Sequence, residues 1–445
     1  MRGTHVLLGM EASPVHVMWG PVVGHVAHRE VTVSWGWSGP FTDSLWRFLE
    51  IQCEPSIRQL RVERVPTSLP HILKLRVGLL EPGRAYRLRA KFQGQPVGDE
   101  ATFRTRPVYG NWSPGPPPDF TFLIGSCFYL NDKPYDRPGP PYGKDSSILS
   151  TMASLSADFM IWAGDNIYLR EPDWDSRSGM VYRYEHAFRQ PLMRRLLAAR
   201  GNYAIWDDHD YGPNDGDRTF ALRHEALQLF RDYWSNPPSA LTEGICFSFE
   251  YGDCAFFMLD DRWWRAPNRL PDTSKPFLGE PQLKWLLESL VSCDKPWKFL
   301  VCGNQVLNPT GSKECYRSYS GEFHKFFQNL RALRIEGLVI LSGDRHYAEL
   351  LCDSTLLGYP LYELTCSAVL STPHDIRSER EKNNPLRVSG SLVQENNFSR
   401  LTVLGPKDSR LLRMEHLDRQ GRVLWKYEIP LNRLKLRPHL AHPGQ

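Results

Sequence analysis

The sequence lacks the features that would tie it to a membrane, to nucleic acid or to an oxidising compartment. No run of about 18 apolar residues occurs, so no membrane span is expected. A formal charge of +4 over 445 residues is too small to propose a nucleic-acid partner. The nine cysteines are an odd count with no C-x-x-C pair, so neither a disulfide framework nor a zinc-ribbon spacing is indicated. Cys246, Cys254, Cys302 and Cys366 sit in apolar runs, as small buried hydrophobes do in a reducing compartment. The opening MRGTHVLLGMEASP shows neither a secretory apolar core nor a twin-arginine pair. A cytoplasmic location is the expectation, which removal of a leader would reverse.

What is present is an ordinary globular balance, 41% hydrophobic and 23% charged, long enough for two or three domains without internal repeats. The first hundred residues read as short alternating strands: HREVTVSWGWSG, HILKLRVGLLEPGRAYRLRAKF and DEATFRTRP. They predict a small β-sandwich over 1–109, whose end resembles a fibronectin type III-like module. The Pro/Gly-rich stretch GNWSPGPPP then predicts a linker over 110–118. From 119 to 445, apolar runs alternate with amphipathic segments such as MVYRYEHAFRQPLMRRLLAAR, TFALRHEALQLFRDYW and GEPQLKWLLESLV. That alternation argues for an α/β domain with helices covering a sheet. FSFEYGDCAFFMLDD adds a hairpin, and RLLRMEHLDRQGRVLWKYEIPL reads as two strands around a turn.

The informative pattern is where five apolar strands stop. FTFLIGSC ends at Cys127, and DFMIWAGDNIY at Asp165 with Tyr168 close behind. YAIWDDHD ends at Asp208 and His209, WKFLVCGN at Asn304, and GLVILSGDRH at Asp344 and His346. In open α/β sheets the active crevice lies outside the carboxyl ends of the strands, so these residues converge. Each alone has an ordinary explanation: a buried thiol, a core tyrosine, a turn carboxylate, a loop amide, a surface imidazole. Together they form a set of metal donors, and cations would relieve the repulsion within WDDHDYGPND.

GSC, GDNIY, WDDHDYGPND, LDDR and SGDRH, in this order, resemble the alkaline phosphatase D (PhoD-like) metallophosphatases, relatives of the purple acid phosphatases. The resemblance runs from about residue 110 to the C-terminus and takes in the N-terminal β-module. It implies a four-layer α/β sandwich of two mixed β-sheets flanked by helices, preceded by a small all-β fibronectin type III-like domain. It implies that Cys127 and Tyr168 hold a ferric ion (Fe3+). Asp165 would bridge to a divalent cation, Ca2+ first, with Zn2+, Mn2+ or Fe2+ as substitutes. Asp208, Asp344 and His346 fall at ligand positions, and Asn304 where relatives often carry one.

The expected chemistry is hydrolysis of a small phosphate ester, mono- or diester, by attack of metal-bound hydroxide. His209 is expected to contact the phosphoryl oxygen or protonate the leaving group, or else only to orient Asp208. Arg345 is expected to grip phosphate oxygens, or else to pair with a nearby carboxylate. Asp207, Asp260 and Arg262 are expected to position the ligands. A catalytically inactive binding or scaffold protein of the same fold is the alternative. The sequence leaves substrate and oligomeric state open.

Overall fold

The computed structural model describes residues 15–110, 112–113, 115–310 and 314–436, so the leader question raised by residues 1–14 lies outside them. Seven strands come first: β1 Val17–Val26, β2 Glu30–Trp37, β3 Leu49–Glu54, β4 Arg61–Val65, β5 Ile72–Gly78, β6 Ala85–Phe92 and β7 Gln95–Arg104. They pair antiparallel as sheets β1-β2-β5-β4 and β3-β6-β7. Alternate residues point inward, as along β6, where Tyr86, Leu88, Ala90 and Phe92 are buried. They close one core with Val31, Val33, Trp35, Leu73, Leu75 and Val77 of the facing sheet. The expected small all-β sandwich is therefore present. Its four-plus-three split, with β4 beside β5, is the order of constant-type immunoglobulin sandwiches, and the fibronectin type III likeness is one of architecture.

The remaining strands are β8 Phe120–Gly125, β9 Phe159–Ala163, β10 Gly201–Ile205, β11 Phe247–Tyr251, β12 Cys254–Met258 and β13 Trp297–Val301, then β14 Leu338–Ser342, β15 Glu349–Asp353, β16 Leu361–Thr365, β17 Asn397–Leu404, β18 Leu411–Asp418 and β19 Val423–Pro430. They form two mixed six-stranded sheets, β10-β9-β8-β17-β18-β19 and β11-β12-β13-β14-β16-β15. Strands β8, β9 and β10 are parallel in the first sheet, and β12, β13, β14 and β16 in the second. Most of these parallel strands are buried along their whole length, so they read as unbroken apolar runs rather than alternating ones. Strands β15, β16 and β17 go beyond those expected from the apolar pattern.

A layer of phenylalanines joins the sheets. Phe122 of β8 meets Phe256 of β12 and Phe299 of β13 edge-on at 5.3 and 5.7 Å between ring centroids. Helices cover the outer faces. Trp234 and Phe230, at the end of helix Arg223–Tyr233, pack on Trp162 and Trp206, while Trp285 of helix Glu280–Ser292 packs near Phe257. The segment MVYRYEHAFRQPLMRRLLAAR does not form one helix. It breaks into Arg177–Phe188 and Pro191–Ala198, because Pro191 has no amide hydrogen to continue the ladder and sits instead in a first turn.

The sandwich is not isolated from this core. Trp19 and Val22 of β1 and Ile72 of β5 belong to the large hydrophobic cluster rather than to the sandwich's own. The Trp19 indole donates to Glu185 Oε1 at 2.9 Å, and its ring stands 5.3 Å from Phe188.

Candidate metal centre

The turns that leave β8, β9 and β14 are made by the predicted donors themselves. Cys127, Asp165, Asp344 and His346 have φ of 64°, 53°, 67° and 57°, and they are four of the eight non-glycine residues with positive φ among those described. Left-handed backbone costs a non-glycine residue about 1–2 kcal/mol, so the surroundings must hold it. Gly164, at φ 88°, allows the closest approach: a Cβ there would stand 2.7 Å from the Cβ of Asp207. The turn after β9 thus passes directly against the turn after β10.

Two groups of donors result. One ligating atom from each of Cys127, Asp165 and His346 lies within 4.8 Å of the others, and the same holds for Asp165, Asp208 and His209. Asp165 belongs to both. Its Oδ2 accepts from the Tyr168 hydroxyl at 3.0 Å and faces Cys127 Sγ at 3.6 Å. The Tyr168 hydroxyl also lies 3.1 Å from His346 Nε2 and accepts from Ser371 Oγ at 3.0 Å.

His346 Nδ1 meets the Thr372 carbonyl oxygen at 3.1 Å. A carbonyl only accepts, so Nδ1 carries the proton and Nε2 presents its lone pair to the donor group. The His209 ring leans on Tyr168 at 4.3 Å, and its buried Nδ1 has no hydrogen-bond partner.

The acidic stretch resolves into separate tasks. Asp207 and Asp210 cap the helix Asp208–Tyr211 reciprocally, and Asp210 Oδ1 also accepts from the backbone of Asn166 and Ile167. Asp208 turns toward the donors, with Oδ2 accepting from the Asp215 amide at 2.8 Å. Asp207 turns away into a second buried network. Its Oδ1 accepts from Arg262 Nε at 2.6 Å and its Oδ2 from Asn304 Nδ2 at 2.9 Å. Arg262 is fully buried and also reaches Glu314 at 2.9 Å.

Electrostatics divide along the same line. Burial, then the charges of Asp208, Asp210 and Asp344, push the Asp165 carboxyl well above its usual range. Burial and Asp165 likewise push Cys127 up, against hydrogen bonds from Ser126 and Ser367. Burial and then Arg345 act on Asp344, which ends at about 7. Asp208 is the exception: burial raises it, but the charge of His209 when protonated, Arg262 and the Asp215 amide outweigh burial and hold it below the usual range. Burial keeps His209 and His346 neutral, the form that ligates. Thiol, phenol, neutral imidazole and crowded carboxylates with an unpartnered imidazole nitrogen form a donor set that suits cations.

Residues 140–397 match the family model of the PhoD-like phosphatases. The chain belongs to that family. As a PhoD-like chain it shares its fold with PhoD itself, at a TM-score of 0.70 and 17% identity over 88% of this chain and 85% of that one. It is also similar in fold to purple acid phosphatase PPD1 from seeds of yellow lupin (Lupinus luteus), at a TM-score of 0.64 and 13% identity over 92% and 74% of the two chains. Among curated proteins no match is found.

One expectation for this PhoD-like centre needs correction, at Asn304, and at Arg345 the structure favours the alternative of a carboxylate pair. Asn304 stands at the end of β13 as expected, but its Oδ1 already accepts from Arg262 at 3.1 Å and Arg265 at 2.6 Å. Its lone pairs are taken, so it belongs to the Asp207 network and not to the donors. Arg345 does not point a free guanidinium at phosphate: Glu381 and the Tyr347 hydroxyl hold it. Asp260 accepts from Trp206 Nε1 and from the amides of Ile245, Arg262 and Trp263, all at 2.8–2.9 Å, so it shapes the loop that presents Arg262.

The sequence reading missed Ser367, whose hydroxyl donates to Cys127 Sγ at 3.0 Å and accepts from the His346 amide at 2.8 Å. Strand β16 ends just before it, but the apolar pattern does not announce that strand, so the strand-end rule did not reach Ser367. Tyr142, 3.0 Å from His346 Nδ1, carried no such signal.

Proposed function

We propose that this chain is a dinuclear-metal phosphoesterase acting on small phosphate mono- or diesters. The observation that carries the reading is the pair of donor groups sharing Asp165. Cys127, Tyr168, His346 and Asp165 would hold Fe3+, and Asp165, Asp208 and the nearby Asp344 a divalent cation such as Ca2+. Ions bound there would offset the buried carboxylate charge, polarise the phosphoryl oxygens and acidify water to a nucleophile.

The protein's own residues supply the rest. Asp165 sits between the two groups with each oxygen oriented: Oδ1 accepts from the His209 amide at 3.3 Å and Oδ2 from Tyr168. Ser367 and Ser371 hold Cys127 and Tyr168 in place. His209, buried and with Nδ1 unpartnered, could donate a hydrogen bond to a phosphoryl oxygen or, after taking up a proton, pass it to the leaving alkoxide. Burial around the donors strengthens each of these interactions relative to water.

The deciding experiment is elemental analysis of the purified protein together with hydrolysis of an aryl phosphate and a bis-aryl phosphate. Two metal equivalents, one of them iron, with turnover of at least one ester are expected. Full metal loading without turnover of either ester would defeat this reading and favour the inactive binding protein.

A further inference from the structure

Arg345 is held by Glu381, so it is not the guanidinium that meets the substrate. The guanidinium groups around the centre are mostly committed. Arg262 is bound by Asp207 and Glu314, Arg265 by Asn304 and Glu314, and Arg170 by the Leu130 carbonyl with Asp136 at 3.3 Å. Arg137 differs. It is exposed and makes no ion pair with a described carboxylate, resting instead on aromatic faces 4.3 Å from the Tyr142 centroid and 5.9 Å from that of Tyr129.

Those two tyrosines place it. The Tyr142 hydroxyl touches His346 Nδ1 at 3.0 Å and His374 Nε2 at 3.4 Å, and the Tyr129 ring lies 5.0 Å from that of Tyr168. Arg137 is thereby held beside the donor cluster, one tyrosine removed from His346 and from Tyr168. The loop is stiff, with prolines at 138, 140 and 141, and Asn131 and Gly143 clasp its ends through two 2.9 Å hydrogen bonds. A guanidinium presented this way forms bidentate, charge-assisted bonds to phosphate oxygens at little ordering cost.

We propose that Arg137 is the specificity-determining cation of this centre, gripping non-bridging phosphoryl oxygens and selecting phosphate monoesters over diesters. The inference rests on the phosphoesterase reading. A monoester is largely dianionic at neutral pH and keeps three free oxygens, whereas a diester has one charge and two.

The test compares wild type with Arg137→Ala and Arg137→Lys on an aryl phosphate and a bis-aryl phosphate, alongside metal content and calorimetric binding of orthophosphate. For Arg137→Ala, kcat/KM on the monoester should fall roughly 30- to 100-fold and on the diester less than about threefold, with metal content unchanged. Arg137→Lys, which keeps the charge but not the fork, should recover part of the monoester loss. Orthophosphate binding should weaken about tenfold in Arg137→Ala. Equal losses on both esters, or unchanged orthophosphate binding, overturn the assignment. A metal-loaded wild type that turns over neither ester but binds orthophosphate through Arg137 overturns the phosphoesterase reading and the ester selection with it.

Discussion

Two buried acidic clusters lie side by side at the strand ends, and they balance their charge in opposite ways. Around Asp207, the carboxylates of Asp207 and Glu314 are met by Arg262 and Arg265, and Asn304 fills the gaps between them. Around Asp165 no described guanidinium pairs with Asp165 itself, and Arg262 reaches the group only at Asp208, 3.9 Å away: Asp165, Cys127, Tyr168 and His346 face one another. The sequence presents both clusters alike, as polar residues after apolar strands. What separates a structural network from a cation site is whether the protein supplies the positive charge itself. Desolvation of several kcal/mol per ion must be offset in either case.

Breaking the open cluster should have the largest effect. Asp165→Asn removes the carboxylate shared by both donor groups, and turnover should fall at least about a thousandfold with loss of metal in elemental analysis. A variant that keeps activity and metal would end the shared-carboxylate assignment. His209→Ala should slow turnover by about 10²–10⁴-fold and leave metal content intact. If metal leaves with the imidazole, His209 is a ligand instead.

The closed cluster should respond in stability rather than in metal. Arg262→Met strips a buried cation from Asp207 and Glu314 and should cost about 3–5 kcal/mol in denaturant unfolding. A cost below about 1 kcal/mol would mean the network is not charge-balanced as drawn.

Chelation sharpens the contrast through pH. The folded protein lifts Asp344 to about 7, above its unfolded value of 3.8. In metal-free protein the contribution of Asp344 to stability is therefore fully present below about pH 4 and is lost as pH rises through about 7, because folding favours the protonated carboxyl. Thermal melts should show chelator lowering the midpoint by several degrees more at pH 8 than at pH 5. The smallest effect is expected from Asn304→Ala: about 1–3 kcal/mol of stability from unpaired buried donors, and unchanged metal content. Loss of metal would return Asn304 to the ligands.

Much of the centre was legible because a short strand buried on both faces must read as an unbroken apolar run, and the first polar residues after it are conspicuous. Cys127, Asp165, Tyr168, Asp208, His209 and His346 were found this way, and the structure gathers them. Asn304 and Arg345 mark the limit. Whether a lone pair or a guanidinium is already engaged depends on partners remote in the chain, such as Arg265 for the first and Glu381 for the second. Ser367 hid because a hydroxyl is common in every loop. The break at Pro191 could have been read from proline chemistry, whereas β15 to β17 depend on neighbours that no local period announces.

Trp19 has a consequence for how this molecule can be taken apart. The indole that leaves the sandwich to lodge against Phe188 and Glu185 makes the two cores share a wall. Cutting the chain at its proline-rich joint would uncover an apolar socket on one piece and a protruding aromatic on the other. A front module joined to a different neighbour would need another plug for that socket.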